Sequence, residues 1–249
     1  MTQYPPSFFQ NQQAGAKQSA ESIIPLIREF IKPTSVVDIG CGTGAWLSVW
    51  QKYGVTDILG IDGGYVNQSA LFIPSSNFVA SDLEKPLTLE KNFDVAMSLE
   101  VAEHLSPQSA RSFIRSLTTL APMIIFSAAI PGQGGVSHKN EQWPDYWANI
   151  FNQHGYVCID CLRRRIWLND KIQWWYAQNI LFFTHKDFLN QPANNALRDL
   201  WEKDQSAPLP LVHPKLYSSI HPDLVTPNLL RPSHIGKLLL KGVKKLWPF

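Results

Sequence analysis

The chain has 249 residues, of which 45% are hydrophobic, and a formal net charge of +2. This hydrophobic content is typical of a globular protein, and so small a net charge argues against strong general binding of nucleic acid. No apolar run approaches the roughly 20 residues that a membrane-spanning helix needs, and no secretory signal is visible. The three cysteines do not form a disulfide framework, so we expect a reducing, cytoplasmic location.

Strands and helices alternate along most of the chain, which predicts a doubly wound, mostly parallel sheet. The predicted elements are a helix at 19–32 with a kink near Pro25, strands at 35–40, 57–62, 77–83, 93–100 and 123–130, and helices at 45–54, 106–120 and 143–154. Ser106 and Pro107 are the predicted N-cap and first residue of their helix. Two further strands, at 156–166 and 176–184, have no helical pattern between them, which predicts an antiparallel hairpin at the end of the sheet.

We divide the chain into a lid or helix at residues 1–34, a main domain at 35–186 and an extension at 187–249. In the extension, residues 235–247 place leucines on one helical face and four lysines on the other. Such a basic amphipathic helix suits an anionic membrane surface, although helices of this kind more commonly dock on their own domain. The sequence therefore leaves peripheral membrane contact open, and it does not indicate an oligomeric state.

A glycine-rich turn at residues 35–44, S-V-V-D-I-G-C-G-T-G, is the strongest functional pattern. A short β-branched strand runs into three alternate glycines, Gly40, Gly42 and Gly44, and a helical pattern follows at once. Glycine has no Cβ, so a ligand can lie directly against the backbone of such a turn. The pattern predicts a nucleotide-like cofactor site, but NAD, FAD and S-adenosylmethionine sites all use a turn of this kind.

Acidic residues at three predicted strand ends narrow the choice of cofactor. Asp38 can meet a cationic group of a ligand, and Asp62 can accept hydrogen bonds from both hydroxyls of a ribose. Asp82, in Ser81-Asp82-Leu83, can accept a hydrogen bond from an adenine amino group. Ligands of open α/β sheets bind outside the carboxyl ends of the strands, where all three acids are predicted to lie.

These motifs, with F-D-V-A-M-S-L-E-V-A-E-H-L at residues 93–105, resemble class I S-adenosylmethionine-dependent methyltransferases over about residues 20–186. The resemblance implies a seven-stranded, mostly parallel sheet with an antiparallel final strand. It also implies a cofactor whose amino-acid end lies near Asp38, its ribose near Asp62 and its adenine near Asp82. The full set assigned to the cofactor is Asp38, Gly40, Cys41, Gly42, Asp62, Gly63, Ser81, Asp82, Leu83 and Leu99.

Two later motifs are candidates for binding the methyl acceptor. H-K-N-E-Q-W-P-D-Y-W at 138–147 and W-W-Y-A-Q-N at 174–179 are similar to bacterial members associated with polysaccharide and small-metabolite modification. We therefore expect methylation of a hydroxyl or amine on a small molecule, sugar or glycan. Aromatic faces suit sugar rings, flat rings or cations, so the predicted acceptor-binding residues are Trp143, Trp174, Trp175 and Tyr176. On the predicted hairpin, Trp174 and Trp175 face opposite sides.

Three residues are predicted to assist catalysis: His138, His104 and Glu100. Methyl transfer from a sulfonium is an in-line displacement, in which proximity and alignment supply most of the catalysis. A hydroxyl or ammonium acceptor must also lose a proton, and a base with a near-neutral pKa assists this. His138 follows a glycine-rich loop and is our candidate base, whereas His104 is expected mainly to fix the turn after its strand.

The motif E-V-A-E-H also raises the question of a metal. Glu100, Glu103, His104 and His138 would make a set of two carboxylates and two imidazoles, similar to one that small-RNA 3′-end 2′-O-methyltransferases use for a metal. The same motif is widespread in metal-free members, so we do not expect a metal. A metal-dependent RNA 2′-O-methyltransferase and a non-catalytic, membrane-associated cofactor-binding module remain the alternatives.

Overall fold

A computed structural model describes residues 6–203 and 208–220, with side chains from residue 14 onward. The described chain forms two compact units, one ending at Leu211 and one beginning at Val212. The strands are β1 (Ser35–Ile39), β2 (Asp57–Asp62), β3 (Phe78–Ala80), β4 (Val95–Leu99), β5 (Met123–Ser127), β6 (Tyr156–Ile159) and β7 (Leu181–His185). The helices are α1 (Pro6–Ile27), α2 (Ala45–Lys52), α3 (Ala110–Leu120), α4 (Pro144–Gln153), α5 (Arg163–Ile166), α6 (Trp174–Asn179), α7 (Lys186–Leu189), α8 (Asn195–Lys203) and α9 (Pro214–Ile220).

The seven strands form one sheet in the order β3-β2-β1-β4-β5-β7-β6. β1 to β5 pair in parallel, and β7 is antiparallel to both of its neighbours. The prediction of a doubly wound, seven-stranded, mostly parallel sheet with an antiparallel final strand is therefore confirmed.

Each face of the sheet has its own hydrophobic core, because successive strand residues point to opposite faces. In β1, Val36 joins the core that includes residues of α1, α2 and α6, whereas Val37 joins the core that includes residues of α3 and α4. β5 alternates in the same way: Ile125 belongs to the first core, and Ile124 and Phe126 to the second. Both faces being covered explains why β1, β4 and β5 are continuously buried apolar runs.

Two helix starts differ from the prediction. α1 begins at Pro6 instead of residue 19, and it continues through Pro25 to Ile27. α3 begins at Ala110, not at Ser106 and Pro107. Ser106 instead donates from Oγ to Glu84 at 2.7 Å, and its backbone N–H donates to the same carboxylate, so its side chain is committed to a tertiary contact and not to capping a helix.

The predicted antiparallel pair of strands at the end of the sheet is confirmed, since β6 and β7 pair in this way. The predicted bounds, 156–166 and 176–184, and the direct connection of a hairpin are wrong. β6 ends at Ile159, and two short helices, α5 and α6, lie between it and β7. The aromatic run Trp174–Tyr176 is therefore helical, so Trp174 and Trp175 are not on opposite faces of a strand. The two indole rings contact each other edge to face, with centroids 5.5 Å apart.

The described residues contain no helix that is both long and apolar enough to cross a membrane. The basic amphipathic helix predicted at 235–247 lies outside the described residues.

Candidate functional site

The glycine-rich turn follows β1 and leads directly into α2. Gly40, Gly42 and Gly44 have φ angles of 86°, 54° and 78°, in the left-handed region that favours glycine. A Cβ at Gly40 would overlap the side chain of Val101, whereas a Cβ at Gly42 would meet nothing within 4 Å. The backbone at Gly42 is therefore open to a ligand, as the sequence predicted for a cofactor turn.

Asp62, at the end of β2, is 5% exposed, and its carboxylate stabilises this turn by hydrogen bonds. Its Oδ2 accepts a hydrogen bond from the N–H of Gly42 at 2.7 Å. Its Oδ1 accepts from the N–H of Gly63 and from the hydroxyl of Tyr65, both at 2.6 Å. The carboxylate thus lies beside the open glycine backbone, which is where a ribose would need it.

Asp38 lies in β1 and is 3% exposed. Burial, together with the nearby Asp62 carboxylate, raises the pKa of Asp38 to about 8. A buried carboxyl of this kind is best satisfied by a cationic group. This environment fits the amino group predicted to lie there.

The other residues assigned to the cofactor surround the same strand ends. Cys41 is buried in the turn, and burial raises the pKa of its thiol, so it is an inert packing group. Leu99 is buried at the end of β4. Ser81 donates its N–H to the Asp62 carbonyl at 2.8 Å, and Asp82 is exposed, with its carboxylate bonded to the N–H of Glu84 and 3.3 Å from Lys85. Leu83 is partly buried and packs on the second core.

Glu100 directly follows β4 and has a left-handed φ of 56°, which is unusual for a residue other than glycine. Its N–H is held by the carbonyl and the hydroxyl of Ser127, at 3.0 and 3.1 Å. Its carboxylate accepts hydrogen bonds from the side-chain amides of Gln133 and Asn179. Burial raises its pKa, while these donors oppose the rise. Strained, well-supported residues of this type are concentrated at functional sites.

The two candidate histidines lie side by side, with ring centroids 4.7 Å apart and ring planes at 88°. Nδ1 of His138 is 2.8 Å from Oε1 of Glu141, and the carboxylate of Glu141 also accepts from the N–H groups of Gly132 and Gly134. The acceptor at Nδ1 favours the tautomer in which Nε2 keeps its lone pair. Desolvation and the neighbouring His138 ring lower the pKa of His104, which favours its neutral form.

Glu103 completes a three-residue cluster with the two histidines. One potential ligand atom from each of Glu103, His104 and His138 lies within 4.8 Å of the others. Glu103 is 1% exposed, and its Oε2 is buried without a hydrogen-bond partner. Burial and the nearby Glu100 raise its pKa well above the usual range. Glu100, the fourth member of the predicted metal set, is held by amides and lies outside this three-residue cluster.

The predicted acceptor-binding aromatics occupy two helix starts. Trp143 is 38% exposed directly before α4, and Trp174, Trp175 and Tyr176 open α6. Tyr176 is buried, and its ring is 5.3 Å from that of Trp46. Burial, with smaller contributions from the nearby carboxylates of Glu100 and Asp38, raises the pKa of Tyr176.

Sequence reasoning missed four residues that contact this site: Tyr65, Gln133, Glu141 and Asn179. Glu141 and Asn179 lie within the two motifs assigned to the acceptor, where an acid or amide beside a candidate base could have been singled out. Nothing in the local sequence around Tyr65 indicates its contact with Asp62, 3 positions away. Likewise, nothing around Gln133 indicates its contacts with Glu100 and Asn179, 33 and 46 positions away, which form only when the chain folds.

The fold defines a class I S-adenosylmethionine-dependent methyltransferase, with a glycine-rich turn after β1, Asp38 in β1 and Asp62 at the end of β2. A family model described as a methyltransferase domain matches residues 12–193. The chain belongs to this methyltransferase family, and its cofactor is S-adenosylmethionine. A search of curated protein sequences finds no significant match.

Solved structures with the same fold are similar over most of the first unit. CalS10, an amino pentose methyltransferase from Micromonospora echinaspora with S-adenosylmethionine bound, has a TM-score of 0.55 at 13% identity, covering 75% of this chain and 99% of its own. Magnesium protoporphyrin IX methyltransferase from Synechocystis PCC 6803, also with S-adenosylmethionine bound, has a TM-score of 0.52 at 17% identity, covering 75% and 87%. Small RNA methyltransferase HEN1 has a TM-score of 0.52 at 19% identity, covering 68% of this chain and 25% of its own. At these identities the likeness shows the fold alone.

Proposed function

We propose that the protein transfers the methyl group of S-adenosylmethionine to a hydroxyl or amine of a small molecule, sugar or glycan. The observation that carries the proposal is the hydrogen bond between Nδ1 of His138 and Glu141, which leaves the lone pair on Nε2 of the imidazole available to accept a proton. In the proposed reaction, the methyl–sulfur bond breaks as a methyl–oxygen or methyl–nitrogen bond forms. The acceptor's proton goes to Nε2 of His138, and S-adenosylhomocysteine leaves.

The proposed cofactor contacts follow the strand ends. Asp38 receives the cofactor's amino group, Asp62 its ribose hydroxyls and Asp82 its adenine amino group, with the ligand lying on the bare backbone of Gly42. Holding both reactants in line supplies most of the rate enhancement expected for such a transfer. General-base assistance contributes roughly 10²–10⁴-fold beyond it.

The acceptor is proposed to bind between α6 and the loop after β5. Trp143 and Trp174 offer aromatic faces, and Glu100 offers a carboxyl oxygen as a hydrogen-bond acceptor. Side-chain amides and carboxylates beside aromatic rings suit a polyhydroxylated or amino-substituted ring, because they can accept several O–H or N–H donors while a flat face covers the C–H surface.

We also propose that α1 is a lid over the main domain at 35–186. Two contacts support this role. The Lys17 ammonium lies 4.8 Å from the centre of the Phe72 ring, on the cofactor side. The N–H of Gln173, next to the acceptor aromatics, donates to Oγ of Ser19 at 3.0 Å. One helix thus touches loops that flank both proposed binding regions.

The test is incubation of the protein with radiolabelled S-adenosylmethionine and fractionated metabolites, with and without EDTA. We expect label in a small-molecule or glycan fraction. The matched control is Asp62→Asn, which removes the charge that the cofactor ribose needs. Binding of S-adenosylhomocysteine without transfer to any fraction would reject the proposed acceptor class while leaving the cofactor site intact.

A second candidate is a metal-assisted transfer, including transfer to the 2′-hydroxyl of an RNA end. It is favoured by the cluster of Glu103, His104 and His138 and by the buried, unpartnered Oε2 of Glu103. One carboxylate with two imidazoles is a donor set that suits divalent transition metals. When bound there, a cation would supply Lewis-acid stabilisation of an acceptor oxygen. The net charge of +2 does not favour RNA.

The two candidates differ in their response to chelation and in their acceptors. Loss of transfer after dialysis against EDTA, restored by one divalent metal, would favour the metal-assisted reaction. Label in RNA ends rather than in metabolites would favour the RNA enzyme. Transfer that is insensitive to EDTA supports His138 as the base.

A further inference from the structure

The side-chain amides of Gln133 and Asn179 bind the carboxylate of Glu100, and the side-chain amide of Gln178 binds both of them. We call these three amides the amide clamp. Nε2 of Gln133 donates to Oε2 of Glu100 at 2.9 Å. Nδ2 of Asn179 donates to both carboxylate oxygens, at 3.1 and 3.2 Å. The clamp uses neutral donors, so it holds the carboxyl group in place without adding a positive charge beside it.

The amides of the clamp fix one another's orientation. Nε2 of Gln178 donates to Oε1 of Gln133 at 2.9 Å and to Oδ1 of Asn179 at 3.0 Å. Nδ2 of Asn179 also donates to Oε1 of Gln133 at 2.9 Å. Oε1 of Gln133 accepts three donors, from Gln178, Asn179 and the N–H of Ile130, so its Nε2 must face Glu100. Oε2 of Glu100 is then occupied by two N–H groups, and Oε1 is the oxygen with room for a donor from the acceptor.

A fully buried arginine supports the clamp from behind. Nη1 of Arg163 donates to the backbone carbonyl of Gln178 at 3.3 Å and to that of Leu209 at 2.9 Å. Its Nη2 and Nε bind Oδ2 of Asp160 at 2.6 and 3.0 Å. The short helix α6, which carries two of the three amides, is thereby anchored at its end.

Gln133 also belongs to the loop that carries His138. Its N–H donates to the carbonyl of Ile130 at 3.0 Å. The residues on both sides of it, Gly132 and Gly134, donate their N–H groups to the carboxylate of Glu141 that also holds His138. The side chain of Gln133 therefore points to Glu100, while the backbone around it is tied to the His138 partner.

We infer that Gln133 is a positioning residue that couples the Glu100 carboxylate to the loop carrying His138, so that Oε1 of Glu100 and Nε2 of His138 face the acceptor together. The inference rests on the proposed roles of Glu100 and His138. The methyl acceptor would then donate one O–H or N–H hydrogen bond to Glu100 and transfer a second proton to His138.

The test uses the full chain saturated with S-adenosylhomocysteine, in EDTA, and its NMR measurement needs no methyl acceptor. Nitrogen-15 NMR of the imidazole rings, with the His138 signals assigned from His138→Asn, reports the tautomer of His138. We expect the Nδ1–H tautomer in the unsubstituted protein and mixed tautomers in Gln133→Leu, with the affinity for S-adenosylhomocysteine changed less than about twofold. Gln153→Leu, at an exposed glutamine bonded to Arg111, is the matched control and should leave the signals unchanged.

An exchange of the two side chains keeps the test decisive if Gln133→Leu fails to fold. Glu100→Gln alone places a new side-chain N–H donor opposite the N–H donors of Gln133 and Asn179, so it should disturb the His138 signals. Adding Gln133→Glu restores an acceptor for every donor of the clamp, so the double variant should recover both the melting temperature and the Nδ1–H tautomer. It should not recover methyl transfer, because the charge has moved away from the acceptor.

Two results would overturn the inference: unchanged His138 signals in Gln133→Leu, or a double variant that folds without recovering them. Recovery of methyl transfer in the double variant would show that the clamp has only a structural role. A protein that shows the expected ring signals but methylates no acceptor would reject the proposed function and not the coupling.

Discussion

The hydroxyl of Tyr65 lies 2.6 Å from Oδ1 of Asp62, where a ribose hydroxyl of the cofactor is expected to bind. The Tyr65 side chain is otherwise open to solvent, since the residue is 84% exposed. Oδ1 already accepts the N–H of Gly63, and a carboxylate oxygen has about two lone-pair sites. Tyr65 and a ribose hydroxyl therefore compete for the same position.

Tyr65→Phe is expected to strengthen binding of S-adenosylhomocysteine. Removing the competing hydroxyl should lower the Kd about three- to tenfold, equivalent to about 0.7–1.4 kcal/mol. Isothermal titration calorimetry measures the change, with Tyr53→Phe as a control tyrosine on the surface. Weaker binding by Tyr65→Phe would instead mean that the hydroxyl helps to hold the bound ribose.

Affinity for S-adenosylhomocysteine is expected to rise with pH up to about 8. In the free protein, burial raises the pKa of Asp38 to about 8, so the carboxyl is protonated at lower pH. The ligand's ammonium favours the ionised form, so binding releases a proton, and the affinity gains up to about tenfold per pH unit below that pKa. Asp38→Asn should flatten the profile measured by calorimetry between pH 6 and 8, and a profile that is already flat before substitution would contradict the assignment.

The same shift affects stability in the absence of ligand. The folded pKa of Asp38 lies above its ordinary value of 3.8, so the folded protein binds the extra proton between roughly pH 4 and 8. The contribution is fully present below pH 4 and is lost as pH rises through 8. Asp38→Asn should remove this decline from melting temperatures recorded across that window.

His138→Asn is expected to reduce methyl transfer about 10²–10⁴-fold, because the acceptor loses its general base. Glu141→Gln should cause a smaller loss, since the ring keeps its position but its Nδ1 partner loses the negative charge. Both variants should bind S-adenosylhomocysteine normally. Full activity of His138→Asn would exclude His138 as the base, and loss of cofactor binding would indicate a wider structural effect.

Glu103→Gln distinguishes a metal-bound cluster from a metal-free one. If a divalent metal binds Glu103, His104 and His138, EDTA should lower the melting temperature of the unsubstituted protein and have no effect on Glu103→Gln. If no metal binds, EDTA should affect neither protein, and the neutral isostere should be at least as stable, because burial already disfavours the ionised acid. Elemental analysis of the purified protein provides the independent measurement.

Arg163→Leu is expected to destabilise the fold strongly. The arginine is fully buried and paired with Asp160, and removing one partner of a buried ion pair costs about 3–5 kcal/mol. In a protein of this size that corresponds to roughly 6–20 °C in Tm. Arg164→Leu, at the exposed neighbour, is the control and should shift Tm little; equal shifts in both variants would argue against the anchoring role of Arg163.

The sheet and the cofactor end of the site could be predicted from the sequence. β2 was predicted at its observed bounds, and β1 within one residue, because a parallel strand buried on both faces is a short apolar run ended by a turn. Asp38 and Asp62 could be placed together because parallel strands present their carboxyl ends at one edge of the sheet. Their cofactor contacts remain predictions.

The region between β6 and β7 could not be predicted, because its helices depend on tertiary contacts. Three successive arginines at 163–165 have the local pattern of an exposed segment, but Asp160 and the carbonyl of Gln178 stabilise Arg163 in the interior. Likewise Ser106 has the pattern of a helix cap, but Glu84, 22 positions earlier, takes its hydroxyl and its N–H.

The amino-acid sequence by itself determined the class of protein, because the glycine turn and the acids at the strand ends are local signals in a fixed order. Only the tertiary structure decided how the acceptor side is built. Gln133, Glu141 and Asn179 acquire their partners from loops and helices that are distant in the chain, and hydrogen bonds between such residues leave no period or motif. The left-handed backbone of Glu100 is held by Ser127 of β5, and the ring of His104, after β4, contacts the ring of His138, after β5. Both features therefore require that the segments at the ends of β4 and β5 come together in the fold.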